Sequence, residues 1–189
     1  MEADPSPAEA DVDDRIVAAA IALAEDKGDW TRVRLHEVAE RLGLSPVAVL
    51  RRFRDLDAVA DAWLRRGLEA MIADKPPGFA EGTEGQRLEA CVMAFLDALA
   101  AHREVTAQMV RGKLHPTHLH HWGPAIFNLS RTIHWLREAA LMPAPYGTRR
   151  AETEEIALTA IFVATFWVWS HDDSPGQERT RDFLRRQLW

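Results

Sequence analysis

The sequence predicts an all-α protein, on three observations. Apolar residues recur three and four positions apart through most of the chain, which puts them on one face of a helix. No segment alternates apolar and polar side chains in the manner of a half-buried strand. Glycine, proline and short polar residues stand where such helices would begin and stop.

In chain order, residues 14–27 carry Ile16, Val17, Ala20, Ile21 and Ala24 on one stripe, and Gly28 is a fitting stop. Residues 35–42 bring Leu35, Val38, Ala39 and Leu42 to one face before Gly43. Ser45 can accept an N–H left over at the start of a third, short helix, and Pro46 suits a first helical position that needs no donor. That helix reaches about residue 53. Asp55 can cap a fourth, to about residue 73, carrying Val59, Trp63, Leu64 and Leu68. The stretch DKPPGFAEGTEG has the Pro and Gly density of a linker, so a boundary falls near 75–84. Longer apolar helices are expected beyond it over 86–101, 104–111, 124–141 and 150–170. SPGQ, residues 174–177, has capping-box spacing with Pro at the first helical position, so a last helix runs to the C-terminus.

A chain of 189 residues that is 47% apolar, with seven Trp, can bury a good core. The start, MEADPSPAEADVDD, has six acids and no base before Arg15, the reverse of a signal peptide, and 1–13 is expected to be a disordered acidic tail. The longest mainly apolar run, 156–169, is shorter than the ~20 residues that span a bilayer. The expectation is a cytoplasmic protein with no transmembrane segment. The single cysteine, Cys91 in LEACVMAFL, reads as a buried structural thiol.

The net charge of −6 argues, by itself, against nucleic acid. The distribution argues the other way. Residues 31–54 hold six arginines (32, 34, 41, 51, 52 and 54) against two acids, Glu37 and Glu40. A basic patch on an acidic chain fits a phosphate backbone. The same stretch, RLHEVAERLGLSPVAVLRRFRDLDAVADAWL, has the proportions of a helix-turn-helix, in which one helix crosses the backbone and the next enters the major groove. On that geometry Ser45, Pro46, Val47 and Ala48 face bases or backbone, Arg51 and Arg52 flank the groove, and Arg34 and Arg54 extend the basic cluster. Val38, Ala39, Leu42, Leu44, Val49 and Phe53 form the small core. The alternative for these residues is a helical corner with solvated arginines.

The segment VAERLGLSPVAVLRRFRDLDAV resembles the N-terminal signature of the TetR family of transcriptional regulators through Val38, Ala39, Gly43, Leu44, Ser45 and Phe53. Leu50 stands where that family usually has a phosphate-contacting Tyr, Val47 and Ala48 replace Gly and Thr, and Leu56 replaces a Lys. Arg51, Arg52 and Arg54 can supply part of the missing backbone electrostatics. The resemblance implies a helix-turn-helix DNA-binding domain over 14–74, a ligand-binding and dimerisation helical domain over 84–189, a double-stranded DNA operator and a ligand-responsive repressor. A second resemblance, to the TetR-fold lipid-binding proteins of ubiquinone biosynthesis, rests on Thr148, Arg149 and Arg150, then Asp172, Ser174, Pro175, Glu178, Thr180, Phe183 and Leu184. It implies a lipid or isoprenoid pocket without DNA binding. Their membrane-touching last helix is not expected here, since the sequence stops at Trp189.

Phe95, Met109, Trp122, Phe127, Trp135, Phe162 and Phe166 are the candidates to line a pocket for a small apolar ligand, or else they are packed core. IALTAIFVATFWVW is apolar nearly all round, which means burial on several sides. TetR-like proteins pair through their last two helices, so Ile161, Thr165, Val168, Trp169, Phe183 and Leu184 are the candidate homodimer contacts. HPTHLHHW holds His115, His118, His120 and His121, but no cysteine or carboxylate nearby completes a metal set, and no metal or cofactor is expected. No Gly-rich phosphate loop is present, and Asp172 with Asp173 reads as a helix cap rather than a catalytic pair, so no enzymatic activity is expected.

Overall fold

The computed structural model describes residues 7–73, 75–113 and 119–188, with only the backbone described over 7–10 and 119–125. The described residues are helical with no strand. The helices are α1 (Pro7–Lys27), α2 (Leu35–Leu42), α3 (Pro46–Arg52), α4 (Leu56–Ile72), α5 (Glu84–Leu99), α6 (Arg103–Lys113), α7 (Leu119–Ala139), α8 (Arg149–Trp169) and α9 (Glu178–Leu188). None is long and apolar enough to cross a membrane. The chain divides into two compact units, one of Met1–Arg65 with His102–His115, the other of Arg66–Ala101 with Pro116–Trp189.

The first unit is built on α1. Ile16, Val17, Ala20, Ile21 and Ala24 are all buried, as their spacing predicts, and Trp30, Val38, Val49, Phe53, Val59 and Met109 complete this interior. Trp63 and Thr106 are linked inside it: the Trp63 Nε1–H donates to Thr106 Oγ1 at 2.8 Å, and that hydroxyl donates to the His102 carbonyl at 2.8 Å. Helix α1 begins at Pro7 rather than near residue 14, so residues 7–13 of the expected disordered tail are helical, and Asp13 forms an ion pair with Arg52 of α3. Acids in the first turns of a helix are stabilised by its dipole, which the composition of the tail does not reveal. Residues 1–6 lie outside the described residues.

In the second unit Phe95 and Phe162 meet edge to face, ring centroids 5.2 Å apart, among Leu88, Leu96, Leu99, Ile133, Leu136 and Leu158. Gly67 makes close approach possible, since a Cβ there would lie 2.9 Å from the Phe95 ring. Cys91 is fully buried, and that burial pushes its thiol up. Arg137 of α7 is nearly buried yet paired. It donates to Glu154 and Glu155 of α8, each at 3.1 Å, and to the Ala144 carbonyl at 2.9 Å, which ties α7, the following loop and α8 together.

The last helix starts later than SPGQ predicts. Gly176 and Gln177 both adopt positive φ, at 61° and 60°, so Pro175–Gln177 forms a 3-10 turn and α9 begins at Glu178. The capping is done by Asp172, which is fully buried between α8 and α9. Its carboxylate accepts the backbone N–H groups of Ser174 (2.9 Å) and Thr180 (2.8 Å) and both of their hydroxyls. Burial pushes this carboxyl up, but the hydrogen bonds from Ser174 and Thr180 outweigh it and hold it down at about 2.

Because that value lies below the ordinary 3.8, the carboxylate stabilises the fold fully above pH ~4, and its contribution is lost as pH falls toward 2. Asp172→Asn, which puts an amide among donors, is expected to destabilise the protein by about 2–3 kcal/mol at pH 7 and to flatten the loss of stability between pH 4 and 2. Urea unfolding across that range checks both.

Candidate nucleic-acid interface

The turn between α2 and α3 is set by Gly43, which ends α2 in the left-handed region at φ 65°. Its N–H donates to the Glu40 carbonyl at 3.1 Å and the next N–H, of Leu44, reaches back to Ala39 at 2.9 Å, a Schellman arrangement that satisfies the last carbonyls of α2. Ser45 then caps α3, its hydroxyl accepting the Ala48 N–H at 3.2 Å, with Pro46 at the first helical position. The Phe53 N–H closes the other end on the Val49 carbonyl at 2.9 Å.

These constraints fix which way α3 faces. Val49 and Phe53, four apart, are buried. Val47 and Leu50 are 56% and 60% exposed, and Arg51 is exposed on the same side. Ser45 and Pro46 are exposed and Ala48 is half-buried.

The arginines are less uniform than the sequence count suggests. Arg52 binds Asp13 at 2.6 Å, Arg41 binds Asp26 at 2.7 Å and Arg54 binds Asp55 at 3.0 Å, while Arg32 sits 3.9 Å from Asp29. Arg34 curls back to donate to the Thr31 and Val33 carbonyls. All four of these acids lie outside the 31–54 window, so folding offsets part of the local positive excess. Arg51 has no ion-pair partner among the described residues. Exposed pairs of this kind hold by only ~0–1 kcal/mol, so a phosphate can compete for Arg32, Arg41 and Arg54. On α2, Glu37 donates nothing to the patch: its carboxylate accepts from Lys27 and the Arg34 N–H, and the Lys27 bond holds it below the usual carboxylate range.

The candidate pocket residues are dispersed. Phe95 and Phe162 pack on each other as core, and Phe166 lies half-buried against Trp169. Met109 is buried in the first unit, whereas the others belong to the second. Phe127 and Trp135 are 73% and 45% exposed, because the inward stripe of α7 is taken by Ile133 and Leu136, with Ala140 buried just past its end. The side chain of Trp122 lies outside the described residues, as do His115, His118 and the side chains of His120 and His121.

The candidate dimer contacts also separate by helical phase. Thr165, Trp169 and Leu184 are fully buried within the chain and cannot meet a partner, and Ile161 is half-buried. The outward stripe of α8 runs through Ile156, Ala160, Val163 and Trp167, spaced four, three and four apart. With Val168 and with Phe183 of α9 it lines an open, almost wholly apolar groove of about 680 Å³. The periodicity of α8 shows two apolar faces, and the packing of α5, α7 and α9 decides which is covered.

The chain is 37% identical to the TetR transcriptional regulator from Nitrosomonas europaea, over 94% of this chain and 95% of that one, with a TM-score of 0.80. A TetR transcriptional regulator from Rhodococcus sp. RHA1 shares the fold at 20% identity, over 92% of this chain and 91% of that one, with a TM-score of 0.64. The COQ9 family model matches residues 148–189. No curated protein sequence matches the chain.

Gly43→Ala forces a Cβ into the left-handed region, at a cost of about 1 kcal/mol. The melting temperature is expected to fall by about 2–4 °C in a chain of this size. Thermal unfolding followed by circular dichroism checks it, and an unchanged midpoint would show that the turn adopts another conformation.

Proposed function

The chain belongs to the TetR family of transcriptional regulators, and from that premise we propose that it is a DNA-binding, ligand-responsive repressor acting as a homodimer. The observation that carries the reading is the doubly capped helix α3, which turns Val47, Leu50 and Arg51 outward. In this reading residues 14–74 bind the operator. Ser45, Pro46, Val47 and Ala48 approach the major groove, and Arg51, with Arg34 and Arg54 at the margins, neutralises phosphates. Arg52 acts mainly through Asp13, holding α3 to α1.

Two copies would pair through the groove of α8 and α9. Exposed Ile156, Val163 and Trp167 form a contiguous apolar stripe of the kind that marks a partner surface. Two-fold pairing presents two α3 helices to two half-sites. Residues 84–189 would also admit a small apolar ligand, and binding it in one arrangement of the dimer more tightly than in another would release the operator.

The COQ9 match favours a second reading, a lipid or isoprenoid carrier that does not bind DNA. The residues behind that likeness argue for shared architecture rather than shared cargo. Thr148 caps α8 by accepting the Ala151 N–H, Arg150 pairs with Glu154, Asp172, Ser174 and Thr180 form the α8–α9 cap, and Leu184 is core. Native mass spectrometry that found a bound isoprenoid, together with no retention of any DNA, would replace the regulator by the carrier.

A mobility-shift assay at low salt on the DNA upstream of its own gene tests the regulator directly. Arg51→Ala is expected to weaken binding about uniformly across sequences and to reduce the salt slope by about 1. Arg52→Ala is expected to lower the melting temperature instead. Trp167→Glu puts a charge on the apolar stripe and is expected to give monomers by sedimentation, with operator affinity falling as the dimer is lost.

A further inference from the structure

The outward face of α3 has an unusual chemistry for a surface meant to read bases. Val47 and Leu50 are three apart, more than half exposed, and offer no donor or acceptor. The polar group beside them on that face is the Arg51 guanidinium, and α3 carries no acid, amide or hydroxyl. Helices that read sequence by hydrogen bonds place Asn, Gln, Arg, Lys or an acid against base edges. Leu50, standing where the family usually has a phosphate-contacting Tyr, offers phosphate no donor, so both exposed aliphatic side chains of this face can meet only an apolar group.

In the major groove of B-DNA one base carries an apolar group, the C5-methyl of thymine. We propose, resting on the DNA-binding reading above, that Val47 and Leu50 recognise thymine methyls, and that each operator half-site carries thymines at two neighbouring base pairs where they land. Spacing supports a pair. Residues three apart on a helix are separated by about 4.5 Å along its axis, comparable to the ~3.4 Å step between base pairs. Charge complementarity supports DNA as the occupant. Arg51 lies on the same face, and Arg32 and Arg54 are held only by exposed pairs that phosphate can displace. Sequence preference then comes from methyl burial and affinity from the arginines, so the two are separable by substitution.

Deoxyuridine keeps every hydrogen-bonding edge of thymidine and lacks only the methyl. The full chain is used to select binders from a randomised duplex library, and the selected duplex is remade with dT replaced by dU, one position at a time. At two neighbouring positions per half-site the Kd is expected to rise about fourfold for each methyl lost, the effect of burying one such carbon. Leu50→Ala and Val47→Ala, both at exposed positions, are each expected to abolish the penalty at one of these positions and leave the salt slope unchanged. Equal affinity of the wild-type chain for the dT and dU duplexes, or selected sites without thymine, overturns methyl recognition alone and leaves the DNA reading standing. Retention of no duplex at low salt overturns both.

Discussion

A helix of seven residues does not persist in water by itself, where about 12–15 are needed even for favourable sequences. Helix α3 exists because its ends and one face are fixed from outside: the Gly43 turn and Ser45 hydroxyl at the start, the Val49 and Phe53 side chains buried against the first unit. Everything proposed for the interface follows from that constraint. Once Val49 and Phe53 point inward, Val47, Leu50 and Arg51 have no direction left but outward, and α2, the helix on which α3 packs and which itself packs on α1, holds the inward choice in place.

Features written into neighbouring residues were legible in the sequence. Helix α2 and the start of α3 fall where Gly43, Ser45 and Pro46 put them, and Asp55 caps α4 through the Ala58 N–H. Features that depend on distant residues were not. The charge of the basic patch could not be read from a window of sequence, because Asp13 and Asp26 reach it from α1. Helix α8 offers apolar side chains on most of its circumference, so its covered stripe, Leu158, Phe162, Thr165 and Trp169, became distinguishable only in the fold. The start of α9 was missed because Gln177, a residue that seldom takes positive φ, takes it after Gly176.

The two family likenesses describe different layers of the same molecule. The likeness to a TetR regulator extends over nearly the whole chain, whereas the COQ9 match is confined to the hairpin of α8 and α9. That hairpin is held by caps and a buried carboxylate, groups that specify how two helices join and say little about what either one binds. The match takes in this joining machinery together with the side chains that the caps leave free, and it is among the latter that the identity of any ligand has to be sought.

Asp172 shows how far such a joining residue can act. It has no surface of its own, yet its grip on Ser174 and Thr180 sets the rotation of α9 and so the position of Phe183 along the groove. If two copies pair through this groove, as proposed, a genetic screen for loss of assembly would return this codon beside those of the exposed stripe, and a map of contacts drawn from the surface would miss it. Compensating changes for its loss would be sought in the 3-10 turn, at Gly176 and Gln177, and not across any interface.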